Sequence, residues 1–508
     1  MSIAAGVVGV VAALLAATRW LRVSQREHYL ANGCRSTAMR WLRARPLLNG
    51  TVLVVSVAAA VAGMLTEYPT STVLLVVAAV AAAGFPLFMP LRGRTARLDP
   101  TRRLRTLAAA VLVLSTAVGG ALSWATTPAA GPVAVAVLMP LLVDTSAAVL
   151  RPFEVRAADR FRHKAEGIIR SVSPRVVAIT GSYGKTSTKE HVRELLGTNL
   201  DVVASPASWN NMAGLSRAVN EFLRPGTEVF VAEMGTYGPG EIRDLVAWLQ
   251  PEVAVITAVG PVHLERMGNL AAITRAKAEI LAGARHAVLG VDSPELSELA
   301  ETVDPATTLW RCGSRGQSGL DVEATAGPDG FAFRIHDHII GPVTLPVGVH
   351  AANVACAVAV ASALGLSPPQ IEARLGSLQA AQHRAAAAVT PDGVIVIDDT
   401  FNSNPDGARA ALQQLMTEVP EADRVVITPG MVELGPIQAR ENERLASEIA
   451  AAGCALVIVG RTNRRALLRG AGEAVTVANR DQAVAWVRDN LHPGDGVLWE
   501  NDLPDHYP

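Results

Sequence analysis

Hydrophobic and polar positions divide this 508-residue chain into two unlike parts. Before residue 150 the apolar positions fall in long runs: Ser2–Thr18, Leu47–Leu65, Thr72–Pro90, Leu107–Trp124 and Val133–Leu150. Each is near the lower length limit for a helix that crosses a hydrocarbon core. The segments between them alternate in charge. Residues 19–45 hold seven arginines, residues 66–71 (TEYPTS) none, residues 92–105 six, and residues 125–132 (ATTPAAGP) no charge at all. Arg-rich loops mark the cytoplasmic side. The pattern therefore predicts five spans in a cell membrane, with the N-terminus outside and everything after residue 150 in the cytoplasm. The first run reads as an anchor, because it lacks the basic leader and small-residue cleavage site of a signal peptide. Pro140 and Asp144 interrupt the fifth run. A carboxylate within a span is a candidate functional group; the alternative places Asp144 at the interface, its carboxyl reaching water.

After residue 150 the period changes. RVVAIT (Arg175–Thr180) is a β-branched run of strand length, and Val192, Leu195 and Leu196 then recur at helical spacing. EVFVAEM and VAVITAV read as further buried strands. Near residue 378 the pattern resets, with GVIVIDD as a strand, TFNSNPDG as a turn and ARAALQQLM as a helix, followed by strands in ALVIVG and DGVLWE. Alternation of this kind predicts doubly wound sheets. The expected architecture is an α-helical membrane domain (1–150), a basic linker (151–172), an α/β central phosphate-loop domain that binds ATP (173–378) and a C-terminal Rossmann-like domain (379–508).

Composition sharpens this picture at three points. Mean hydropathy is +0.28 with 50% hydrophobic residues, and the excess lies in the first part. Net charge is −1, which excludes a global nucleic-acid footprint, so no nucleic-acid partner is expected. The cysteines (Cys34, Cys312, Cys356, Cys454) are far apart with no CxxC, which fits a reducing compartment rather than a disulfide framework or zinc site. Lysine is scarce: of 45 basic Lys and Arg residues only Lys164, Lys185, Lys189 and Lys277 are lysine. Lys is a compact point charge that can also react, and Arg does not replace it in either role.

The strand RVVAIT runs into GSYGKTS, and a helix follows. Strand, Gly-rich turn and helix together form a phosphate-gripping loop. Gly181, Ser182, Tyr183 and Gly184 offer backbone N–H groups to phosphate oxygens, Lys185 reaches the terminal phosphates, and Thr186 and Ser187 open the helix, with Thr186 as a Mg²⁺ ligand. The spacing is GxxGKT, shorter than GxxxxGK[ST].

That variant, with SWNNMAGLSRAV, VAEMGTYGPGEI, AVGPVHLERMGN, RAKAEIL and IDDTFNSNPDG, resembles the Mur ligase family over roughly residues 172–508. The nearest branch adds D-alanyl-D-alanine to a UDP-muramoyl tripeptide. The resemblance implies an ATP-dependent ligase that joins a carboxylate to an amine through an acyl phosphate, in bacterial peptidoglycan precursor synthesis. It implies that Thr186, Glu233 and His263 contact Mg²⁺, and that Lys277 is carbamylated to supply an oxygen to a second Mg²⁺. The alternative for Lys277 is an ion pair with Glu279. Lys185, Lys277 and His263 become the catalytic candidates. Asn353, Arg384 and Asp398 would contact ATP; Asn210, Asn211, Asn402 and Asn404 would contact substrate. In the βα turn around Asp398 a plain helix cap is the competing reading.

Two departures bear on substrate. The family's soluble members grip the UDP-sugar with a globular N-terminal domain, and here apolar runs stand in its place. The chain also ends ENDLPDHYP, unlike the basic, glycine-rich ending of the muramoyl ligases. The expected acceptor is a carboxylate-bearing envelope precursor, UDP-linked or lipid-linked, and the amine an amino acid or dipeptide. A membrane-tethered poly-amino-acid synthase is the second reading, which a polymeric product would distinguish. A nucleotide-switched transporter or sensor is the third, and the near absence of charge in the spans speaks against a translocation path.

Overall fold

The computed structural model describes residues 2–91, 98–206, 209–236, 238–262, 264–346, 348–379, 386–400, 404–419, 423–503 and 506–507. The chain forms two compact units. One comprises Met1–Arg156 with Gly460–Thr462 and Leu503–Pro508, the other Ala157–Val459 with Asn463–Asp502.

The first unit is helical: α1 (Ser2–Arg26), α2 (Gly33–Ala44), α3 (Pro46–Leu65), α4 (Thr70–Gly84), α5 (Arg102–Ala125) and α6 (Ala130–Val172), the last continuing into the second unit. Among the described residues, α1, α3, α5 and α6 are long and apolar enough to cross a membrane. At 15 residues α4 is shorter than its apolar run, because Pro86 forces Phe85 into an extended conformation. Large side chains such as Leu47, Leu65 and Trp124 face outward, whereas Ala59, Ala60, Ala78 and Ala79 are buried. Small residues at helix contacts and large ones outside are what a lipid solvent selects.

Asp144 is buried and does not reach water. Its carboxylate accepts hydrogen bonds from the backbone N–H groups of Cys34 and Arg35, both at 3.0 Å, and from Arg35 Nε at 3.3 Å. These N–H groups are the unpaired donors at the start of α2, where an anion is favoured. The reading in which the Asp144 carboxyl reaches water is thus corrected: the carboxylate is buried against the start of α2. The segment 151–172 is helical, the end of α6. Helix α6 runs through Pro140 and Pro152 for 43 residues. Its charged end carries helical ion pairs, Arg162 with Asp159 (3.3 Å) and with Glu166 (2.7 Å).

The second unit begins with β1 (Arg175–Thr180), α7 (Lys185–Leu196), β2 (Val202–Ala204), α8 (Met212–Phe222), β3 (Val229–Glu233), α9 (Glu241–Leu249) and β4 (Val253–Ile256). It continues with α10 (Leu264–Met267), α11 (Leu270–Ala278), β5 (His286–Gly290), α12 (Pro294–Ala300), β6 (Thr308–Gly313), β7 (Val322–Gly327), β8 (Gly330–Ile335) and β9 (His338–Val343). Helices α13 (Ala351–Ala363) and α14 (Pro368–Leu375) close this part. The sheet order is β2-β3-β1-β4-β5-β6-β7-β8-β9, parallel as far as β7 and antiparallel beyond. One face of the sheet is covered by α7, α13 and α14, the other by α8, α9, α11 and α12. Helix α13 is apolar on nearly every side because it packs deep in that cover, with Val354–Ala361 buried throughout.

A second sheet follows, made from β10 (Ala386–Val389), β11 (Ile395–Asp399), α15 (Pro405–Glu418), β12 (Arg424–Thr428), α16 (Gln438–Ala451), β13 (Ala455–Val459), α17 (Arg464–Ala471), β14 (Val475–Val477), α18 (Arg480–Asn490) and β15 (Gly496–Glu500). Its order is β10-β11-β15-β12-β13-β14, with only β10 antiparallel. In the first sheet the connections leave β1 and β4 in opposite directions, so a crevice opens beyond their carboxyl ends, where α/β sheets bind ligands.

Candidate active site

The loop from Gly181 to Thr186 lies in that crevice, between β1 and α7. Gly184 has φ +77° and occupies the N-cap position of α7. A Cβ there would come within 2.2 Å of Asn353 Oδ1, so Asn353, in the first turn of α13, lies directly against the loop. Ser182 fastens the loop to the strand end across the crevice: its N–H donates to Ala258 O (2.7 Å), and its Oγ donates to Gly260 O and accepts from Gly260 N (both 3.0 Å). Thr257 Oγ1 donates to Tyr183 O. The Tyr183 ring lies over Gly260, where no side chain would fit, and its buried hydroxyl has no hydrogen-bond partner among the described residues. Lys185 Nζ donates to Gly181 O at 2.7 Å and Ser182 O at 3.4 Å. Ser187 is buried at the start of α7.

Glu233 ends β3 beside the loop, with 2% of its surface exposed. Its Oε2 accepts from Thr186 Oγ1 (2.9 Å) and its Oε1 from Asn210 Nδ2 (3.1 Å). The structure therefore brings together Thr186, Asn210 and Glu233. Among the described residues no cluster of three or more His, Cys, Asp or Glu side chains is placed to hold a metal. One carboxylate and one hydroxyl beside a phosphate loop nevertheless fit Mg²⁺, which binds through one or two carboxylates plus substrate phosphates. Lys277, on α11, is buried; burial holds its amine well below the usual lysine range, and the charge of Lys185 adds to this. The alternative partner, Glu279, is engaged elsewhere, accepting from the N–H groups of Gly240 (2.8 Å) and Arg243 (3.0 Å) at the start of α9.

Other expected contacts separate from this cluster. Asn211 caps α8 by accepting from Gly214 N at 2.9 Å, and Asn404 caps α15 by accepting from Gly407 N at 2.8 Å. Asp398 Oδ1 holds Thr400 through its N–H (3.1 Å) and hydroxyl (2.7 Å). In this turn the helix-cap reading accounts for the geometry of Asn404. His263, Arg384 and Asn402 lie outside the described residues.

Sequence reasoning missed several supports. The 429–431 loop of the second sheet is held by buried amides: Asn442 bonds Met431 N and O, Asn463 bonds Pro429 O and Met431 O, and Asn501 bonds Gly430 O. Farther along that loop, Glu433 accepts from Glu265 N at 3.1 Å, joining it to α10. Thus the closing residues Glu500 and Asn501 are buried scaffold. His191, on α7, is also buried, with both ring nitrogens unpartnered among the described residues, and burial lowers its pKa to about 4. Above pH 6.5 it is neutral in native and unfolded chains alike; between 6.5 and 4 only the unfolded chain takes the proton. Stability is thus lost as pH falls through that window, by about 2 kcal/mol at pH 5. Thermal midpoints at pH 7.5 and 5.0 check this: His191→Phe is expected to show a smaller drop than the parent, and an equal drop would refute it.

A doubly wound sheet with a Gly-rich loop, Lys185 and a Thr186–Glu233 pair at its carboxyl edge defines a nucleoside-triphosphate-dependent enzyme. Comparison with known proteins specifies it. Residues 179–361 match the Mur ligase middle domain, and residues 383–500 match the Mur ligase glutamate ligase domain. The UDP-N-acetylmuramoyl-tripeptide--D-alanyl-D-alanine ligase of Mycobacterium tuberculosis is 35% identical over 360 residues, covering 64% of this chain and 69% of that protein. The Escherichia coli enzyme of the same name is 28% identical over 316 residues, covering 60% and 68%. Among solved structures, MurF from Acinetobacter baumannii superposes with a TM-score of 0.59 at 26% identity, covering 68% of this chain and 77% of that one. MurF from Thermotoga maritima in complex with ADP shares the fold at a TM-score of 0.59 and 23% identity, covering 68% and 80%. The chain belongs to the Mur ligase family and is an ATP-dependent ligase that forms carbon–nitrogen bonds.

Proposed function

We propose that this chain joins D-alanyl-D-alanine to the peptide carboxylate of a muramoyl precursor at the cytoplasmic face of a bacterial membrane. The observation that carries this reading is the similarity to the M. tuberculosis D-alanyl-D-alanine ligase, which spans 69% of that enzyme. In the reaction a carboxylate oxygen attacks the γ-phosphorus of ATP, giving an acyl phosphate and ADP. The amine nitrogen then attacks the acyl carbon, phosphate leaves and the nitrogen loses a proton.

Both first reactants are anions, so the site must neutralise charge and align them. The N–H groups of Gly181–Gly184 would cradle phosphate, Lys185 would exchange its loop carbonyls for the terminal phosphates, and Thr186 with Glu233 would hold Mg²⁺. His263 is read as a further metal contact, and Lys277, carbamylated, as an oxygen ligand for a second Mg²⁺. The metal supplies charge stabilisation as phosphoryl transfers. Asn353, Arg384 and Asp398 are assigned to ATP, and Asn210, Asn211, Asn402 and Asn404 to substrate. The cap bonds of Asn211 and Asn404 use their amide oxygens.

A second reading, a lipid-linked acceptor, is favoured by α1–α6. These helices precede both matched family regions and present large apolar side chains outward. Flanked by Arg-rich loops, they are proposed to embed the chain as a multi-pass membrane protein with its ligase part in the cytoplasm.

The test is ADP release by detergent-purified protein with Mg²⁺ and bicarbonate, using Lys185→Ala as the blank. Stimulation by UDP-muramoyl tripeptide with D-alanyl-D-alanine is the expected result. Stimulation solely by a lipid-linked precursor extract with an amino-acid pool would replace the first reading by the second. No stimulation in either arm would refute both.

A further inference from the structure

Lys189 is one of only four lysines in the chain, and none of its surface reaches solvent. It lies on α7 one turn after Lys185. Its Nζ donates to Ser205 O at 2.9 Å and stands 3.6 Å from Glu233 Oε2. Ser205 is tied to the same carboxylate-bearing residue, since its Oγ accepts from Glu233 N at 3.1 Å. Lys189, Ser205 and Glu233 therefore form one buried unit behind the phosphate loop. Thr186 and Asn210 hold the carboxylate from its other sides.

A carboxylate with 2% exposure needs a counter-charge. We propose that Lys189 is a positioning residue that supplies this charge and fixes the Glu233 carboxylate in the geometry of a metal ligand. The inference rests on the reading of Glu233 as a metal ligand. An ammonium suits the place, because it is compact, donates to Ser205 O and lies 3.6 Å from the carboxylate. A guanidinium would bring a planar fork with five donors into a space already closed by β2 and β3. This accounts for lysine at 189 in a chain that otherwise uses arginine. The plain alternative is an ion pair on α7 with Glu190, whose Oε1 is 3.4 Å away. Glu190 is partly exposed, however, and already pairs with Arg193 Nε at 2.8 Å.

The experiment measures Mn²⁺ binding by calorimetry to the full chain in detergent, with a non-hydrolysable ATP analogue present. Wild type is compared with Lys189→Met, Lys189→Gln, Glu190→Gln and Glu233→Gln. Removing a partner that orients a metal ligand typically weakens metal binding about 10–100-fold, so both Lys189 variants are expected to weaken Mn²⁺ by at least about tenfold. The half-saturating Mg²⁺ in turnover should rise by the same factor, and Glu190→Gln should leave both quantities within about twofold. If Lys189→Met does not fold, Lys189→Gln, which keeps a polar group for its neighbours, answers the question alone. Wild-type Mn²⁺ affinity in the Lys189 variants, with weakened binding in Glu233→Gln, would overturn the role of Lys189. Unchanged affinity in Glu233→Gln would instead overturn the metal reading of Glu233. A Glu190→Gln loss equal to that of Lys189→Met would return Lys189 to the helix ion pair.

Discussion

Replacing Lys277 with alanine is expected to slow amide formation by roughly a hundred- to a thousandfold, the scale of losing one aligned electrostatic group in a closed site. Burial lowers the affinity of this amine for protons, and Lys185 lowers it further. The uncharged amine is the form that attacks carbon dioxide. In the proposed carbamylation the nitrogen would bond to carbon, a proton would leave, and the product would carry a negative carbamate oxygen. Beside Lys185 this replaces a repulsive neighbour with an attractive one. Among the described residues no carboxylate pairs with the Lys277 amine, and Glu279 is taken by α9. Single-turnover product formation measures the loss. Carbon dioxide-free buffer should reduce parent activity and bicarbonate should restore it, whereas Lys277→Ala should respond to neither. Full turnover by Lys277→Ala, or a parent indifferent to bicarbonate, would remove carbamylation from the mechanism.

The parts of this enzyme that were legible in its sequence are those where local chemistry and period agree. RVVAIT and GSYGKT needed no tertiary information, because a buried strand, two glycines and a helix start leave one arrangement. Glu233 was legible through the family resemblance, as the acid that closes a buried strand. Contacts made by folding were not. Lys189 follows Lys185 at i+4 on a helix, which in sequence resembles a solvated face; its burial comes from β2 and β3 packing behind it. Asn442, Asn463 and Asn501 are isolated amides far apart in sequence that converge on one loop. The signal that was available for Lys189 was compositional, namely a lysine retained among arginines.

The first unit shows the same division. Apolar runs located its helices, but not that Asp144 would reach across to the start of α2, a pairing set by tertiary packing over 110 residues. Nor did they reveal that α6 continues past Pro152. A proline loses one N–H and strains one turn, but the ion pairs of Arg162 support the helix beyond it. The antiparallel β7–β9 extension escaped the pattern too. Its strands are only partly buried, so their alternation is weak.

Gly184→Ala is expected to lower ATP affinity by about a hundredfold or more while the sheet remains folded, because it moves the loop that grips phosphate. Two costs coincide at this position. The φ of +77° puts an alanine in the left-handed region, at about 1–2 kcal/mol. The new Cβ would also lie 2.2 Å from Asn353 Oδ1 and 3.0 Å from its Cγ. Asn353 cannot easily retreat, since Val354–Ala361 behind it are buried in the core. The loop must shift instead, and its N–H groups lose their aim. The double variant Gly184→Ala/Asn353→Ala separates the two costs. Removing the amide relieves the clash, so the thermal midpoint should recover most of what the single variant lost. ATP affinity should stay low, because the left-handed strain persists and Asn353 is itself assigned to the nucleotide. Calorimetric titration with ATP alongside thermal unfolding reads both quantities. Parent-like ATP affinity in Gly184→Ala would show that this loop does not bind phosphate as its geometry requires. Recovery of affinity in the double variant would leave the loop's role standing but remove Asn353 from the nucleotide site.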